Sequence, residues 1–277
     1  MLLSEPPASP YDVNFRVCGF PIRISWSFWL VGVVFGYPAA QGIDRLFFEQ
    51  SSGLLPWLLV WVGVLFLSIL VHELGHAFAF RACGIPSSVV LYHFGGLAIP
   101  QGRGGIGWGT RRLGPWEQIF ISAAGPVAQL LLALLLILAL RVGGYALLGG
   151  PENGVVAEGR AMLLLPRFMD FLPGIEKGVP VTNPGLFSFL DFAFFINLWW
   201  PLFNLIPVWP LDGGQIAREV ILLLGGTVRQ ALGISMITAG IAAFYFLQQG
   251  QFFAGVMFVS LAASSYQLLN SMGSWRF

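Results

Sequence analysis

Two histidines and a glutamate stand within one helical turn in the run Ser68–Phe78. His72 and His76 are four residues apart, which places both imidazoles on the same face of a helix. At that spacing both can bind one metal ion at about 2.0–2.1 Å, while Glu73 lies beside them without having to be a ligand. A bound metal lowers the pKa of water to about 7, and a neighbouring carboxylate can accept the proton as the water attacks. The spacing therefore predicts metal-assisted hydrolysis.

A tetrahedral zinc site of this kind needs a third protein ligand and leaves the fourth position to water. His93 is the one remaining histidine, but Asp212 is the stronger candidate. It follows a segment in which Pro207 and Pro210 prevent a continuous helix, so the backbone must break there. Asp212 alone could equally be the N-cap of the helix that follows. Together with the histidine pair, it is predicted to be the third ligand.

The composition indicates a membrane protein. Of the 277 residues, 56% are hydrophobic and 10% are charged, and the mean hydropathy is +0.77. Soluble domains are about a quarter charged, so this chain has too few polar side chains to cover a surface in water. We therefore expect the lipid bilayer to be its solvent. The net charge of +1, without a basic stripe, argues against nucleic acid as a partner.

Six apolar runs approach the roughly 20 residues that a transmembrane helix needs. They are Ile24–Ala40, Leu54–Ala82, Trp116–Leu148, Leu186–Leu205, Gln230–Gln248 and Phe252–Leu269. The run Leu211–Leu224 is too short to cross alone and is predicted to be an interfacial helix. Two β-prone runs around Gly95 and Gly96 predict a hairpin, followed by a glycine-rich return loop at 101–109. We expect an all-α polytopic membrane protein of about six transmembrane helices, with a membrane re-entrant β-hairpin after the second span.

The distribution of basic residues predicts the orientation. Nine lie in segments on the side of the N-terminus and five on the opposite side, which favours cytoplasmic N- and C-termini. His72 lies roughly 27 Å along the second helix from Leu54, at ~1.5 Å per residue, so the site is expected toward the cytoplasmic leaflet. The chain is expected to form a single domain over residues 1–277. Its core would cover about 19–225, and a C-terminal helical hairpin would cover about 230–270.

Several of these motifs resemble the site-2 protease family of intramembrane metalloproteases. The resemblance rests on His72-Glu73-Leu74-Gly75-His76, Asn204-x-x-Pro207-x-x-Pro210-Leu211-Asp212-Gly213-Gly214, Ala124-Gly125-Pro126, Phe94-Gly95-Gly96 and the opening Gly19–Ile24. One position departs from the family pattern, because Gln129 stands where the third-span motif usually has asparagine. The resemblance is to a compact form of the family, without a PDZ or CBS domain.

The resemblance implies a zinc-dependent metalloendopeptidase that hydrolyses a peptide bond within or near a transmembrane segment, as in regulated intramembrane proteolysis. It implies Zn²⁺ as the cofactor, with the ligands His72, His76 and Asp212. It further implies that Glu73 is the general base and that Asn204 binds the substrate or the developing oxyanion.

The hairpin at Gly95 and Gly96 would then pair with an extended substrate segment by β-addition. Substrates would be single-span or tail-anchored membrane proteins in the plasma (inner) membrane of a prokaryote. His93 could approach the metal in a resting state, or merely line a polar cavity.

Two other kinds of protein are compatible with a metal site in a membrane helix. A transmembrane metal transporter would need further polar residues along a path, and the outer half of the second span, Leu54–Phe66, offers none. A catalytically silent scaffold would have no need of Glu73, because metal binding alone does not require that residue.

Overall fold

Long helices dominate the computed structural model, which describes residues 5–101, 113–150, 162–165, 169 and 173–271. The helices in this part of the chain are α1 (Trp26–Leu46), α2 (Leu54–Ala82), α3 (Pro115–Val142), α4 (Pro184–Asn204), α5 (Asp212–Leu223), α6 (Val228–Gln248) and α7 (Phe252–Ser271), with a 3₁₀ turn at Phe48–Gln50. The strands are β1 (Val13–Val17), β2 (Phe20–Ile24), β3 (Ser87–Tyr92), β4 (Gly95–Pro100), β5 (Tyr145–Gly149), β6 (Met162–Leu163) and β7 (Val179–Val181).

Among the described helices, α2, α3, α4, α6 and α7 are long and apolar enough, by length and composition, to cross a membrane. They correspond to five of the six predicted spans. The sixth, predicted at Ile24–Ala40, is the 21-residue helix α1, which starts at Trp26 because Ile24 belongs to β2. α1 is less apolar than the other five, so its crossing of the membrane stays a prediction. The predicted interfacial helix is α5, which is amphipathic and 12 residues long.

The predicted end of the third span at Leu148 was wrong. α3 ends at Val142, and Gly144 then adopts a φ of +77°, a left-handed conformation that favours glycine and terminates helices. The residues beyond it form β5, which pairs antiparallel with β6 and parallel with β7. Apolar content alone did not distinguish this strand from a continuation of the helix.

A four-stranded sheet lies against α2, with the strand order β1-β2-β3-β4. β3 and β4 form the hairpin predicted around Gly95 and Gly96, whereas β1 and β2 were not predicted. The all-α prediction was therefore too simple: the protein is mostly helical, with two small sheets. Insertion of the hairpin into the membrane stays a prediction. The glycine-rich return loop after residue 101 lies outside the described residues, as do several charges used for the orientation.

Close packing of α1 on α2 depends on a glycine. A Cβ atom built on Gly36 would lie 2.3 Å from Cδ1 of Trp61, a buried side chain of α2. Gly32, one turn earlier, faces Leu65 in the same way, although less tightly. The two glycines form the small-residue pattern that lets membrane helices approach each other closely.

Replacing Gly36 with alanine is expected to destabilise the folded protein by about 1–3 kcal/mol, because the indole of Trp61 has to move within a packed interface. Thermal unfolding in detergent measures this change. Gly42→Ala is the matched control, since Gly42 lies in the same helix and, apart from the adjacent backbone of that helix, no atom of the described residues lies within 4 Å of its added Cβ. Equal melting temperatures for the two variants would contradict the role given to Gly36.

The segment between α4 and α5 is held by the C-terminal helices. Its Val208 is fully buried in an apolar cluster with Ala239 of α6 and Phe258 of α7. The backbone N–H of Trp209 donates a 2.7 Å hydrogen bond to Oγ of Ser235 on α6. The predicted break at the two prolines is confirmed, and α6 and α7 fix the broken segment in place.

Candidate metal centre

Three donor side chains from two helices converge on one point. Nε2 of His72 lies 3.1 Å from Nε2 of His76 and 3.2 Å from Oδ2 of Asp212, and Nε2 of His76 lies 3.4 Å from Oδ1 of Asp212. In a tetrahedral zinc site with bonds of about 2.0–2.1 Å, neighbouring ligand atoms are ~3.3–3.4 Å apart. The observed separations are close to that spacing, although the two histidines face different oxygens of Asp212, and one ligand atom from each residue lies within 4.8 Å of the others. The structure thus brings together the three residues that were predicted to bind the metal.

Hydrogen bonds on the far side of the rings favour metal binding. Nδ1 of His76 lies 2.7 Å from the backbone carbonyl of Ile121, which can only accept, so this nitrogen carries the proton. In the neutral ring, Nε2 of His76 therefore presents its lone pair to Asp212 and His72. All three side chains are buried, and an arrangement of two ring nitrogens facing a carboxylate is one that a bound cation would satisfy.

A glycine of α3 leaves the space for the ion. A Cβ atom on Gly125 would lie 2.2 Å from Nε2 of His76 and 2.8 Å from Nε2 of His72. Gly75 of α2 permits the close approach, because its own Cβ would lie 2.5 Å from the carbonyl oxygen of Ala124. The space beside the donors is therefore one that a single methyl group would fill. A donor set of two imidazoles and one carboxylate with an open side fits Zn²⁺.

Asp212 reaches the histidines because α5 begins abruptly after the proline segment. Its two following glycines pack against backbone, since a Cβ on Gly213 would lie 2.0 Å from the carbonyl oxygen of Leu205. A Cβ on Gly214 would similarly lie 2.4 Å from the carbonyl carbon of Val208. Residues with side chains at these positions would push the first turn of α5, and with it Asp212, away from the histidines.

A polar contact that sequence reasoning missed holds α5 against α3. Oε1 of Gln215 accepts hydrogen bonds from Gln118 at 2.9 Å and from Ser122 at 3.3 Å, and its Nε2 donates to the carbonyl of Pro210 at 3.2 Å. The one indication of this contact in the sequence was the amide side chain of Gln215, about one turn after Asp212. Its partners on α3 are more than 90 residues away along the chain, so only the fold reveals them.

Glu73 lies in the same turn as the histidines and contacts the hairpin. Its side chain is 4% exposed, and a Cβ atom on Gly96 would lie 2.3 Å from its Cγ. A Cβ on Gly95 would lie 2.7 Å from the indole of Trp200 in α4. The start of β4 therefore packs between α4 and the carboxylate of Glu73, the predicted general base. β4 is also an edge strand of its sheet.

A Gly96→Ala variant is expected to hydrolyse substrate at least about tenfold more slowly with unchanged zinc content, because the methyl group displaces Glu73 but not the ligands. Turnover and metal analysis of the purified protein measure the two effects. Gly233→Ala in α6 provides a control, since in the part of the chain that the structure describes its added Cβ meets no atom within 4 Å outside the neighbouring turns of α6. Wild-type turnover in Gly96→Ala would argue against the close contact of hairpin and carboxylate.

The remaining candidate residues lie outside the three-donor group. Asn204 is the last residue of α4, and its Nδ2 donates to the carbonyl of Trp200 at 3.1 Å. His93 lies at the hairpin turn, with Nδ1 3.2 Å from Oγ of Ser27 at the start of α1. Within the described residues, the donors that converge are those of His72, His76 and Asp212. A role for Asn204 in substrate binding stays a prediction.

Comparison with known proteins relates the chain to several metalloproteases. A putative zinc metalloprotease of Synechocystis sp. is 28% identical over 229 residues, covering 80% of this chain and 48% of that protein. A zinc metalloprotease of Methanocaldococcus jannaschii is 23% identical, covering 75% and 44%, and the putative zinc metalloprotease Rip3 of Mycobacterium tuberculosis is 27% identical, covering 79% and 46%. The chain thus spans about half the length of these relatives.

Among solved structures, the site-2 protease from Methanocaldococcus jannaschii matches 94% of this chain and 95% of its own, with 20% identity and a TM-score of 0.48. The sequence model described as peptidase family M50 matches residues 60–247, more than half of the chain. The matched region contains His72, His76, Glu73, Asp212 and two of the five apolar helices in full, α3 and α4. The chain is a multi-pass membrane protein, and it belongs to peptidase family M50.

Proposed function

We propose that this protein is an intramembrane zinc metalloprotease that hydrolyses a peptide bond within or near the transmembrane segment of a membrane-protein substrate. One observation carries the proposal. Ligand atoms of His72, His76 and Asp212 converge to within 4.8 Å of one another inside a bundle of apolar helices, with Glu73 beside them. Membership of peptidase family M50, and relatives named zinc metalloproteases, support it.

Zinc would be held by the two Nε2 atoms and by the carboxylate of Asp212. When bound there, it supplies a Lewis acid and lowers the pKa of a coordinated water. Gly125 keeps the site open on the side of α3, and Ile121 fixes the ring of His76 through its carbonyl. Removal of the metal is expected to stop hydrolysis without unfolding the helical bundle, because α2 also packs directly on α3, with Gly75 against the backbone of Ala124.

Glu73 is proposed to be the general base. Its carboxylate accepts the proton from the attacking water and returns it to the leaving amine of the substrate. Burial suits this role, because exclusion of bulk water strengthens electrostatic interactions inside the site and prevents loss of the proton to solvent. The contact with Gly96 brings the carboxylate to the start of β4, where a substrate backbone could pass.

The substrate is proposed to lie extended along the free edge of β4. A helical peptide cannot be cut readily, because its carbonyls are shielded in intrahelical hydrogen bonds. An extended segment that pairs with an edge strand exposes the scissile carbonyl and is held by main-chain hydrogen bonds. Gly95 and Gly96 let the start of β4 lie close against Trp200 and Glu73, so a segment paired with β4 would pass near Glu73. Asn204 is proposed to bind the carbonyl oxygen of this segment.

The arrangement in the membrane follows from the same reasoning. α1 is proposed as the sixth span because it packs closely along α2, and the hairpin is proposed to enter the bilayer beside α2. With cytoplasmic termini, the site lies toward the cytoplasmic leaflet of a prokaryotic plasma membrane. The chain would form one domain, with the α6–α7 pair supporting the proline segment. Substrates would be single-span or tail-anchored proteins, cut during regulated intramembrane proteolysis.

A cleavage assay with the purified protein in detergent and a panel of single-span proteins tests this proposal. We expect cleavage that is lost with 1,10-phenanthroline, is restored by zinc, and is unaffected by the non-chelating 1,7 isomer. The absence of bound metal in fresh protein, together with no cleavage after zinc is added, would overturn the proposal. Zinc flux across the membrane of vesicles that contain the protein, without cleavage, would instead indicate a transmembrane metal transporter.

A further inference from the structure

Gln129 bridges two consecutive turns of α2 from its position on α3. Its side chain is fully buried. Oε1 lies 2.8 Å from Nδ1 of His72, and Nε2 donates a 3.2 Å hydrogen bond to the backbone carbonyl of Ser68. Ser68 and His72 are one helical turn apart, so a single amide group binds both ends of that turn. Neither contact was expected from the sequence, in which Gln129 stood out only as a departure from a family motif.

The donors and acceptors of this bridge determine where the proton of His72 lies. A backbone carbonyl can only accept, so the group of Gln129 that faces Ser68 must be the NH₂ group. The amide oxygen then faces His72, and because it too can only accept, Nδ1 of His72 must carry a proton. The neutral ring is thereby held with an unprotonated Nε2, which is the atom that faces His76 and Asp212.

We propose that Gln129 is a positioning residue for metal binding, which fixes the tautomer and the orientation of the His72 ring. The inference rests on the proposed function in one respect, the assignment of His72 as a zinc ligand. Gln129 and Ile121, both on α3, play the same part for the two histidines. The amide oxygen of Gln129 accepts from Nδ1 of His72, and the carbonyl of Ile121 accepts from Nδ1 of His76, in each case the ring nitrogen away from the metal. Such partners keep the ring in the geometry that the ion requires and raise the basicity of the ligand.

A neighbouring contact provides a way to separate positioning from packing. Oγ of Ser68 accepts a 2.8 Å hydrogen bond from Nδ2 of Asn197 on α4, whereas Gln129 uses only the backbone carbonyl of Ser68. Ser68→Ala therefore removes this hydrogen bond between α2 and α4 and leaves the bridge from Gln129 to His72 intact. It disturbs the same buried region without removing the acceptor that faces the ring.

Zinc affinity, measured by competition with a chromogenic chelator on the purified full chain, tests the proposal. Gln129→Met removes the acceptor at similar length and is expected to weaken zinc binding by about 10–100-fold. Gln129→Glu retains an acceptor, and it is expected to bind zinc within about threefold of the wild type or more tightly. Ser68→Ala is expected to bind zinc like the wild type. Wild-type affinity in Gln129→Met, or equal weakening in the Met and Glu variants, would overturn the proposal.

A measurement on the wild-type protein does not depend on whether the variants fold. The chain has three histidines, so ¹⁵N-histidine labelling gives a simple long-range ¹H–¹⁵N spectrum. In the zinc-loaded protein we expect His72 to carry its proton on Nδ1 and the metal on Nε2. Zinc on Nδ1 of His72 would overturn the proposal. Both readouts report metal binding rather than cleavage, so they stand even if no protease substrate is found.

Discussion

A Gly125→Ala variant is expected to lose zinc binding by more than about 100-fold, and to lose hydrolysis with it. The added methyl carbon would lie 2.2 Å from Nε2 of His76 and 2.8 Å from Nε2 of His72, in the space that an ion bound to these atoms would need. Ligand distances in metal sites tolerate deviations of about 0.2 Å. Separating α3 from α2 by enough to accept the methyl group would exceed that tolerance. Metal analysis and chelator competition measure the loss.

The matched control is Gly63→Ala in α2, where the added Cβ meets no atom of another described element within 4 Å. This variant changes the same residue type in the same bundle and is expected to bind zinc like the wild type. Circular dichroism establishes that both variants keep their helices. A Gly125→Ala protein that binds zinc with wild-type affinity would show that the ion does not lie between α2 and α3.

A Glu73→Gln variant is expected to bind zinc normally and to lose turnover by about 10²–10⁴-fold, the range that general acid–base catalysis contributes. Glutamine has nearly the same shape as glutamate and keeps the contact with Gly96, but it cannot accept the proton of the attacking water. Initial rates of substrate cleavage and zinc content, both measured on the same preparation, separate the two effects.

His72→Ala serves as the comparison, because it is expected to lose both zinc and turnover. Loss of zinc in Glu73→Gln as well would make Glu73 a ligand rather than a base. Full turnover in Glu73→Gln would show that Glu73 is not the general base. Another residue, outside the turn of the two histidines, would then have to accept the proton.

The convergence of the metal-binding candidates followed from local sequence rules. Histidines four residues apart on a helix must lie on one face, and Pro207 with Pro210 had to interrupt the helix before Asp212. These rules act over one or two turns, which is why they can be applied to a single sequence. The pairing of His72 with Asp212, 140 residues apart, came from the requirement for a third ligand, and the structure brings the two side chains within 3.2 Å.

The residues that hold the donors in place could not be predicted in this way. Gln129, Gln215 and Ser235 each act through partners more than 20 residues away in the chain, and no local pattern indicates which amide or hydroxyl finds which partner. Strands β1 and β2 were missed for a related reason. They are short, and they are stabilised by pairing with each other and with β3 rather than by their own composition.

The support of Asp212 by the C-terminal helices connects packing with function. α6 and α7 hold Val208 and Trp209 in place. Asp212, three residues after Trp209, is the first residue of α5. The position of the third donor therefore depends on helices that contribute no residue to the site.

Mapping the cleavage position by mass spectrometry, with the protein and a single-span substrate together in lipid vesicles, tests the central claim most directly. We expect products whose new termini lie within or near the transmembrane segment of the substrate, and no such products from Glu73→Gln. Cuts confined to segments in water well outside the membrane, or identical products from the wild type and Glu73→Gln, would contradict an intramembrane protease centred on His72, His76 and Asp212.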